Sequence, residues 1–469
     1  MKTTKFFFSL FFIFINSLNV VSQAVEMDAG YLHSIFLCND GYVWTGGSNI
    51  TEQLGDSLSE GKVIPEPVIG LENIISVSAG SLSSFALTQN GSVWSWGGNS
   101  SGQLGLNSPF GVIQTPHLIS SLNNVKKVSA GWFHTLFLLE DGTVWACGQN
   151  DSGQLGNDSG IQSNVPIQIA GLSNVIDIAA GYYHNLILKN DSTVWAWGYN
   201  YWGQLGDGTT DHSSQPVEVL NLSSIRSIAV GWSHNLALKN DGTVYAWGSN
   251  LFGQIGTGDV MNNSIHPTPV PVSFLTDIKS IKTEADFSMA LKHDGTLWMF
   301  GRNDYGQLGN NSTLNSNIPI TVPNIESINQ IAAGMNFSLA MENNGTIWSW
   351  GRNSAGQLGD STTIDRHTPV NLYLDCSLVL GTLEKNEESQ RIQVAPNPCI
   401  SASVITFDCL LNVKYTFYLY NGLGQLIYTL PGINDGKIYL ERGNLKSGAY
   451  IFQIIGQDDF VGSGKIIIQ

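Results

Sequence analysis

Charge is scarce in this sequence. Only 12% of its 469 residues are Asp, Glu, Lys or Arg, where globular chains usually carry about 25%. What charge there is leans one way, with 37 acidic against 21 basic residues and a net charge of −16. A disordered acidic chain combines high charge with few aromatics; this one, 42% hydrophobic and 10% aromatic, is the reverse. The shortage of cations argues against nucleic acid and anionic membrane surfaces as partners, because phosphate binding needs a basic footprint. Cysteine is sparse too: five residues, an odd number in a long chain, do not make a disulfide framework. No apolar run reaches the ~18 residues that span a bilayer, so no transmembrane segment is expected in the mature protein. Nucleophile elbow, phosphate loop, zinc spacing and dinucleotide fingerprint are all missing. The expectation is therefore a protein that is not an enzyme and uses no cofactor and no metal.

What is present is glycine, 51 residues without a Gly-X-Y period, and 13 Trp. That combination suggests many small, aromatic-packed β-units. Length alone gives a prior of about three domains at ~150 residues each. Residues 1–24 read as a secretory signal peptide. Lys2 and Lys5 form the positive start, Phe6–Ile15 an apolar stretch too short to span a bilayer, and Ser22 and Ala24 offer small residues for cleavage.

The C-terminal end has a different texture. Residues 375–390 turn polar (LEKNEESQ) and read as a linker. Residues 391–469 carry short alternating strands at Val404–Phe407, Tyr415–Tyr420, Gln425–Leu430, Lys437–Leu440, Ala449–Ile455 and Gly464–Ile468, the pattern of a small β-sandwich. Three motifs occur there in order: Ala395-Pro396-Asn397-Pro398, Tyr420-Asn421-Gly422-Leu423-Gly424-Gln425 and Leu445-Lys446-Ser447-Gly448-Ala449-Tyr450. A terminal Lys465-Ile466-Ile467-Ile468-Gln469 follows. On these residues the segment resembles the type A C-terminal sorting domain of the type IX secretion system of the Bacteroidetes lineage. The resemblance implies export across the outer membrane, a secreted or cell-surface location, and the secretion machinery as one partner. Pairing of Cys376, Cys399 and Cys409 stays open at this level.

Between the two ends one unit recurs: Ala-Gly-x-x-His, an apolar strand, Asn/Asp-Gly, Val-Trp-x-Trp-Gly-x-Asn, then Gly-Gln-Leu-Gly. Its leading position falls at Gly30, Gly80, Gly131, Gly181, Gly231, Glu284 and Gly334, and its closing glycine at Gly55, Gly105, Gly156, Gly206, Gly256, Gly309 and Gly359. Both series keep spacings of 50, 51, 50, 50, 53 and 50. Each copy has room for four short strands. In the fifth they are expected at Ile225–Ala229, His234–Lys239, Thr243–Trp247 and Pro216–Leu220, with Asp241-Gly242 as a two-residue hairpin turn at positive φ. Seven such units predict an all-β chain: a seven-bladed β-propeller over residues 25–374, followed by the small C-terminal β-sandwich. A solenoid would need polar capping repeats, and neither end has one. The repeat resembles that of the regulator of chromosome condensation family, whose propellers have seven blades. The family includes nuclear exchange factors that act through a projecting insertion. Here the length anomaly is three residues near Met261–Thr268, so exchange activity is not expected. Secreted bacterial relatives, which bind a protein through aromatic residues on one face, are the nearer precedent.

Repetition separates scaffold from surface. The Gln of Gly-Gln-Leu-Gly is expected to tie neighbouring blades through the backbone. Ten Trp lie in the Val-Trp-x-Trp strand: Trp44, Trp94, Trp96, Trp145, Trp195, Trp197, Trp247, Trp298, Trp348 and Trp350. These are packing residues. His33, His134, His184 and His234 sit one to a blade, too dispersed to converge on a metal, and are expected to bond backbone. Cys38 and Cys147 read as buried small hydrophobes.

Three Trp are left over. The loop after Ala-Gly and the loop after Trp-Gly flank one hairpin, so they open on the same rim. There the first contributes Tyr31, Trp132, Phe133, Tyr182, Tyr183 and Trp232, the second Tyr199, Tyr201, Trp202, Phe252 and Tyr305. Sibling positions hold Ser81, Ser101, Ser152 and Ala355. The cluster is thus asymmetric and not demanded by the fold. Exposed aromatics on one face are expected to form a recognition surface. On the same rim the sixth repeat reads Thr283-Glu284-Ala285-Asp286. Two carboxylates can pair with a partner's cation or serve as a glycosidase couple ~5–10 Å apart. The leading expectation is a monomeric binding propeller for an extracellular protein. A carbohydrate-binding surface protein comes next, and a polysaccharide-processing enzyme using Glu284 and Asp286 last.

Overall fold

Twenty-eight strands between Ala24 and Leu372 form seven four-stranded antiparallel sheets, each made of four consecutive strands in chain order. This computed structural model describes residues 23–376, except 59, 260–264, 373 and 375, and residues 393–468, except 396–399, 408–413, 422–425, 444 and 456–459. The expected signal segment apart from Gln23 and Ala24, most of the linker, the Pro396-Asn397-Pro398 motif, residues 422–425 of the second motif, Cys399 and Cys409 lie outside the described residues; Ala24, expected at the end of the signal segment, begins the first strand. The chain divides into two compact units, Met1–Leu378 and Val379–Gln469. No described residue is helical.

Burial along each strand follows from its place in the blade. The second strand is covered on both faces by neighbouring blades, so His184–Lys189 reads HNLILK and is buried throughout except at its last residue. The innermost strand has one face on the central channel. In blade 5, Ile225 and Ile228 are therefore buried while Arg226 and Ser227 are not. The outermost strand, Ser213–Glu218 in blade 4, is never fully buried and keeps polar residues.

Two expectations need correction here. Ser213–Glu218 pairs with Val194–Gly198 and closes blade 4. The expected fifth-copy strand Pro216–Leu220 thus belongs to the preceding blade, and blade 5 ends with Ile265–Pro271. The reason is that chain order within each sheet starts at the inner strand, before the Ala-Gly loop. The hairpin turn also differs from the two-residue form. Lys239 N–H bonds Thr243 O, Asp241 Oδ1 accepts from Thr243 N–H, and only Gly242 takes positive φ, at 81°. This is a three-residue loop ending in a left-handed residue, a common hairpin alternative. Blade 4 puts Ser192 in that position, at φ 66°.

Neighbouring blades are tied by one repeated device. The indole Nε1–H of Trp96, Trp197, Trp247 and Trp350 donates to the carbonyl of Gln53, Gln154, Gln204 and Gln307 in the preceding blade, at 2.8–3.0 Å. The Gln thus ties blades through its backbone, as expected. Cys147 replaces Trp but keeps the donor, its Sγ lying 3.3 Å from Gln103 O. The closing glycine is required because the next blade's indole lies against it: a Cβ on Gly206 (φ 67°) would fall 2.8 Å from Trp247 Nε1.

Blade 7 meets blade 1 in the same way as other neighbours. Met335 N–H donates to Gly30 O, Ser361 N–H to Val63 O, and Gln330 Nε2 to Val25 O. One apolar cluster there unites Met27, Phe36 and Trp44 with Phe337, Leu339 and Leu372. No strand is exchanged across this seam. Instead a disulfide joins Cys38, in the second strand of blade 1, to Cys376, just past the last strand, across 338 residues of sequence. Cys38 is therefore not the lone buried hydrophobe its strand context suggested. Ring closure brings it against a cysteine that no sequence neighbourhood could reveal.

The second unit holds two antiparallel sheets. One pairs Gln393–Ala395, Ala402–Thr406 and Lys437–Glu441; the other pairs Leu426–Ile433, Tyr415–Tyr420, Gly448–Ile455 and Phe460–Ile468. Ile405, Ile438, Phe417, Leu419, Phe452 and Ile466 are buried in one common cluster.

Candidate functional site at the channel mouth

In five blades an Ala-Gly pair ends the inner strand, with Val230-Gly231 in blade 5 and Thr283-Glu284 in blade 6 at the same place, and the next residue stands at the mouth of the channel. The loop is held from two sides: in blade 3, Gly131 N–H bonds His134 O and Trp132 N–H bonds Gly181 O of blade 4. Around the ring this position holds Tyr31, Ser81, Trp132, Tyr182, Trp232, Ala285 and Met335.

The aromatic members of that ring meet one another. Trp132 contacts Tyr31 at a centroid distance of 5.1 Å, Tyr182 at 4.3 Å and Trp232 at 5.4 Å, and Tyr182 contacts Trp232 at 5.1 Å. The Tyr31–Trp132 and Trp132–Trp232 contacts each skip a blade, which only side chains over the channel can do. Their geometry is edge-on or tilted, the arrangement ring quadrupoles favour. All four are half-buried. Burial raises the Tyr182 hydroxyl above its ordinary pKa.

From this knot a run of rings leads outward. Phe133 lies 5.9 Å from Trp132, and Tyr183 lies 4.1 Å from Tyr182. Tyr183 reaches Tyr199 at 6.1 Å, Tyr199 stacks with Tyr201 at 6.4 Å, and Tyr201 meets Trp202 at 5.1 Å. Tyr201 is 60% exposed. The structure thus brings together Trp132, Phe133, Tyr182, Tyr183, Tyr201, Trp202 and Trp232. Phe252 and Tyr305 have other company: the guanidinium of Arg302 lies 4.8 Å over Phe252, and that of Arg352 5.3 Å over Tyr305. These two arginines were missed in the sequence. Their signal was there, in Gly-Arg-Asn at both Arg302 and Arg352 where other copies lack a cation.

The two acids are placed differently. Asp286 is only 6% exposed; it sits 3.5 Å from Arg302 and accepts a long 3.4 Å bond from Gln254 Nε2. Burial pushes its pKa up to about 6, opposed by Arg302. Glu284 lines the channel mouth with Tyr31, Ser81, Trp132 and Tyr182. Burial pushes its pKa up to about 8, with Asp28 adding to the rise and the Ala285 N–H and Lys282 opposing it. Between them Ala285 adopts a left-handed φ of 45°. The cavity beside Glu284 measures about 20 Å³, room for roughly one water.

The four histidines act between blades. His134 Nε2 lies 2.7 Å from Asn185 Oδ1, and His184 Nε2 2.8 Å from Asn235 Oδ1. His33 meets Ser84 Oγ at 3.0 Å and His234 meets Ser288 Oγ at 2.9 Å. The partners' own donors go to Gln carbonyls: Ser84 Oγ to Gln53 O, Asn185 Nδ2 to Gln154 O, Asn235 Nδ2 to Gln204 O. The imidazole Nε2 must therefore donate. The expected backbone partner is corrected to a side chain of the next blade, which the ring brings alongside. Burial lowers all four, to about 4 for His33, His134 and His184 and about 3 for His234. Among the described residues no three His, Cys, Asp or Glu side chains converge as a metal site.

Comparison with known proteins agrees with this architecture. The profile of the RCC1-like domain matches residues 13–313, and that of the regulator of chromosome condensation (RCC1) repeat matches 294–341 and 344–377. The probable E3 ubiquitin-protein ligase HERC4 of Mus musculus is 47% identical over 148 residues, 31% of this chain but only 14% of that protein. Protein pim1 of Schizosaccharomyces pombe is 34% identical over 144 residues, 29% of this chain and 26% of that one. The chain therefore spans a small part of these relatives' length. In three dimensions it superposes on yeast RCC1 (Prp20), solved bound to Kap60, with a TM-score of 0.66 at 23% identity, covering 84% of this chain and 92% of that one. Human WBSCR16 gives 0.64 at 21% identity, covering 71% and 94%. At these identities the likeness is one of fold. With its profile matched over more than half the sequence, and with seven blades in place, the chain belongs to the RCC1-like domain family.

Proposed function

We propose that this protein is a non-enzymatic binding propeller, secreted or held at the cell surface, that grips a protein partner through the aromatic channel mouth. The observation that carries this reading is the unbroken run of rings from Tyr31 to Trp202 on one face. Scaffold repetition does not require it, since the same positions hold Ser81, Met335, Ser101 and Ala355 in other blades. Trp and Tyr dominate binding hot spots. Exchange activity is not carried over from the family.

Export is supported by the signal-like residues 1–24 and the sorting motifs of the C-terminal unit, read as a β-sandwich that addresses the type IX machinery. The Cys38–Cys376 disulfide suits the same reading, because disulfides persist outside the reducing cytosol.

Partner capture with the mature propeller tests the function. Trp202→Ala and Tyr201→Ala should weaken a captured protein at least ~10-fold, as hot-spot truncation does. Undiminished capture by the double variant would remove the aromatic face from the site. A glycan array covers the second reading, which the stacked Tyr199–Tyr201 pair and the exposed Tyr201 favour, since flat rings also stack on sugars.

A further inference from the structure

Glu284 is the one residue that replaces glycine in its ring position, and it places a carboxylate where six blades have no side chain. The described residues bring no cation within 4 Å of it; only the Ala285 N–H favours its charged form through a hydrogen bond. The other channel charges are engaged elsewhere or lie lower. Asp28 accepts from Ala79 N–H, Glu26 from Ser76 Oγ, and Lys127 pairs with Asp177. Lys282 stands two residues below Glu284 on the same strand and interacts with both Glu26 and Glu284. Of the rim cations, Arg302 is neutralised by Asp286 and Asp304, and Arg352 lies out over Tyr305.

Two further groups at the mouth are unsatisfied. Ser81, 7% exposed, has an Oγ without a hydrogen-bond partner in the protein, and so does the Trp232 indole Nε1–H. Ser81 lines the same cavity as Glu284, Trp132 and Tyr182, and Trp232 packs against the last two rings. Buried polar groups are nearly always bonded, so a carboxylate and a hydroxyl left open in one cavity point to an outside group. The chemistry selects it. The acid calls for a cation, the ring faces of Trp132 and Tyr182 favour one that is flat, and the chain's net charge of −16 attracts basic partners.

We propose, resting on the protein-binding reading above, that the channel mouth receives an arginine side chain of the partner. Its guanidinium lies against the Glu284 carboxylate and the Trp132 and Tyr182 rings. Arginine suits the site better than lysine because its planar fork both stacks on rings and pairs with a carboxylate. One N–H reaches Ser81 Oγ, and the backbone carbonyl of the inserted segment accepts from Trp232 Nε1–H. The cavity of about 20 Å³ does not hold a guanidinium as it stands. Entry requires the Tyr31 and Trp132 rings to rotate apart, a rotamer change of the kind common at interfaces.

The test uses the full chain, with N-acetylarginine amide as probe and N-acetylcitrulline amide as its neutral isostere, titrated at pH 9, where Glu284 is ionised, by calorimetry and intrinsic Trp fluorescence. The expected result is saturable binding of the arginine probe, weakened about 10-fold or more, roughly 1.4 kcal/mol, both by citrulline and by Glu284→Gln. Equal binding of the two probes, or an undiminished response in Glu284→Gln with unchanged thermal unfolding, overturns the proposal, as does no binding at all. Ser81→Ala serves as a second variant and should weaken the arginine probe by a smaller factor than Glu284→Gln; an unchanged affinity would take Ser81 out of the site. Trp202→Ala keeps the two proposals apart. It lies away from Glu284, so lost partner capture with intact arginine binding separates the outer face from the mouth.

Discussion

Blades 2 and 4 share strand order and interblade ties, yet they present different mouths. Trp96 and Trp197 make the same indole bond to the preceding blade's Gln. At the channel, blade 2 offers Ser81 and Leu82, and blade 4 offers Tyr182 and Tyr183. Further out, blade 2 has Ser100 and Ser101 where blade 4 has Tyr201 and Trp202. What recurs in every blade serves the ring. What appears in some blades only is free to serve something else.

The sharpest way to break that comparison is to truncate a Trp of each kind. Trp197 is fully buried, and Trp197→Ala should cost about 3–5 kcal/mol of stability. Trp202→Ala should cost under ~1 kcal/mol and be felt in binding. Chemical denaturation of both separates the roles, and comparable losses would erase the distinction.

The seam comes next in size. Blades 7 and 1 are joined by the same contacts as other neighbours, plus one covalent bond. Cys38→Ser with Cys376→Ser should lower stability by about 2–4 kcal/mol, read as the denaturation midpoint with and without reductant. Cys147 is buried and its thiol pushed up by that burial, so reductant should leave the unfolding of the propeller unit unchanged in the double variant.

A smaller effect distinguishes blades with His from those with Phe. The four buried imidazoles have native values near 3–4, below the ~6.5 of an unfolded chain. Between those values the unfolded state binds protons that the native state refuses. Stability therefore falls as pH drops from about 6.5 toward about 4. Glu284, raised to about 8, contributes the opposite sign, losing stability as pH rises from about 4.5 through about 8. Replacing His184 and Asn235 by Phe and Ser copies the Phe287 and Ser338 pair of blades 6 and 7. It should make the acid slope shallower by one imidazole, measured by urea midpoints at pH 4.5 and 6.5.

The smallest expected effect concerns the one hairpin that departs from its siblings. Ser192 holds φ 66° where Gly242 and Gly142 hold about 80°. Ser192→Gly should raise stability by about 0.5–1 kcal/mol, since a Cβ in that region costs ~1–2 kcal/mol and glycine's added chain entropy returns part of it. An unchanged melting temperature would mean that Ser192 carries no strain.

Much of this was legible because the signals are local and repeated. Seven registers of Gly-Gln-Leu-Gly state the blade count, and a hairpin places both aromatic loops on one rim. The phase of the blade was not legible, because a strand leaving one sheet and a strand entering the next look alike in sequence. Nor was the fate of the acidic pair. Two residues apart in sequence, Asp286 turns to Arg302 while Glu284 faces the channel, owing to the left-handed turn at Ala285.

The sequence by itself determined that the chain is a ring of seven like units with an uneven set of aromatics, because period and composition are properties of the chain. Tertiary structure alone decided that Trp132 meets Tyr31 and Trp232 across intervening blades. It also decided that Cys38 meets Cys376 from 338 residues away. Closing a ring makes neighbours of residues whose separation in sequence carries no trace of their distance in space.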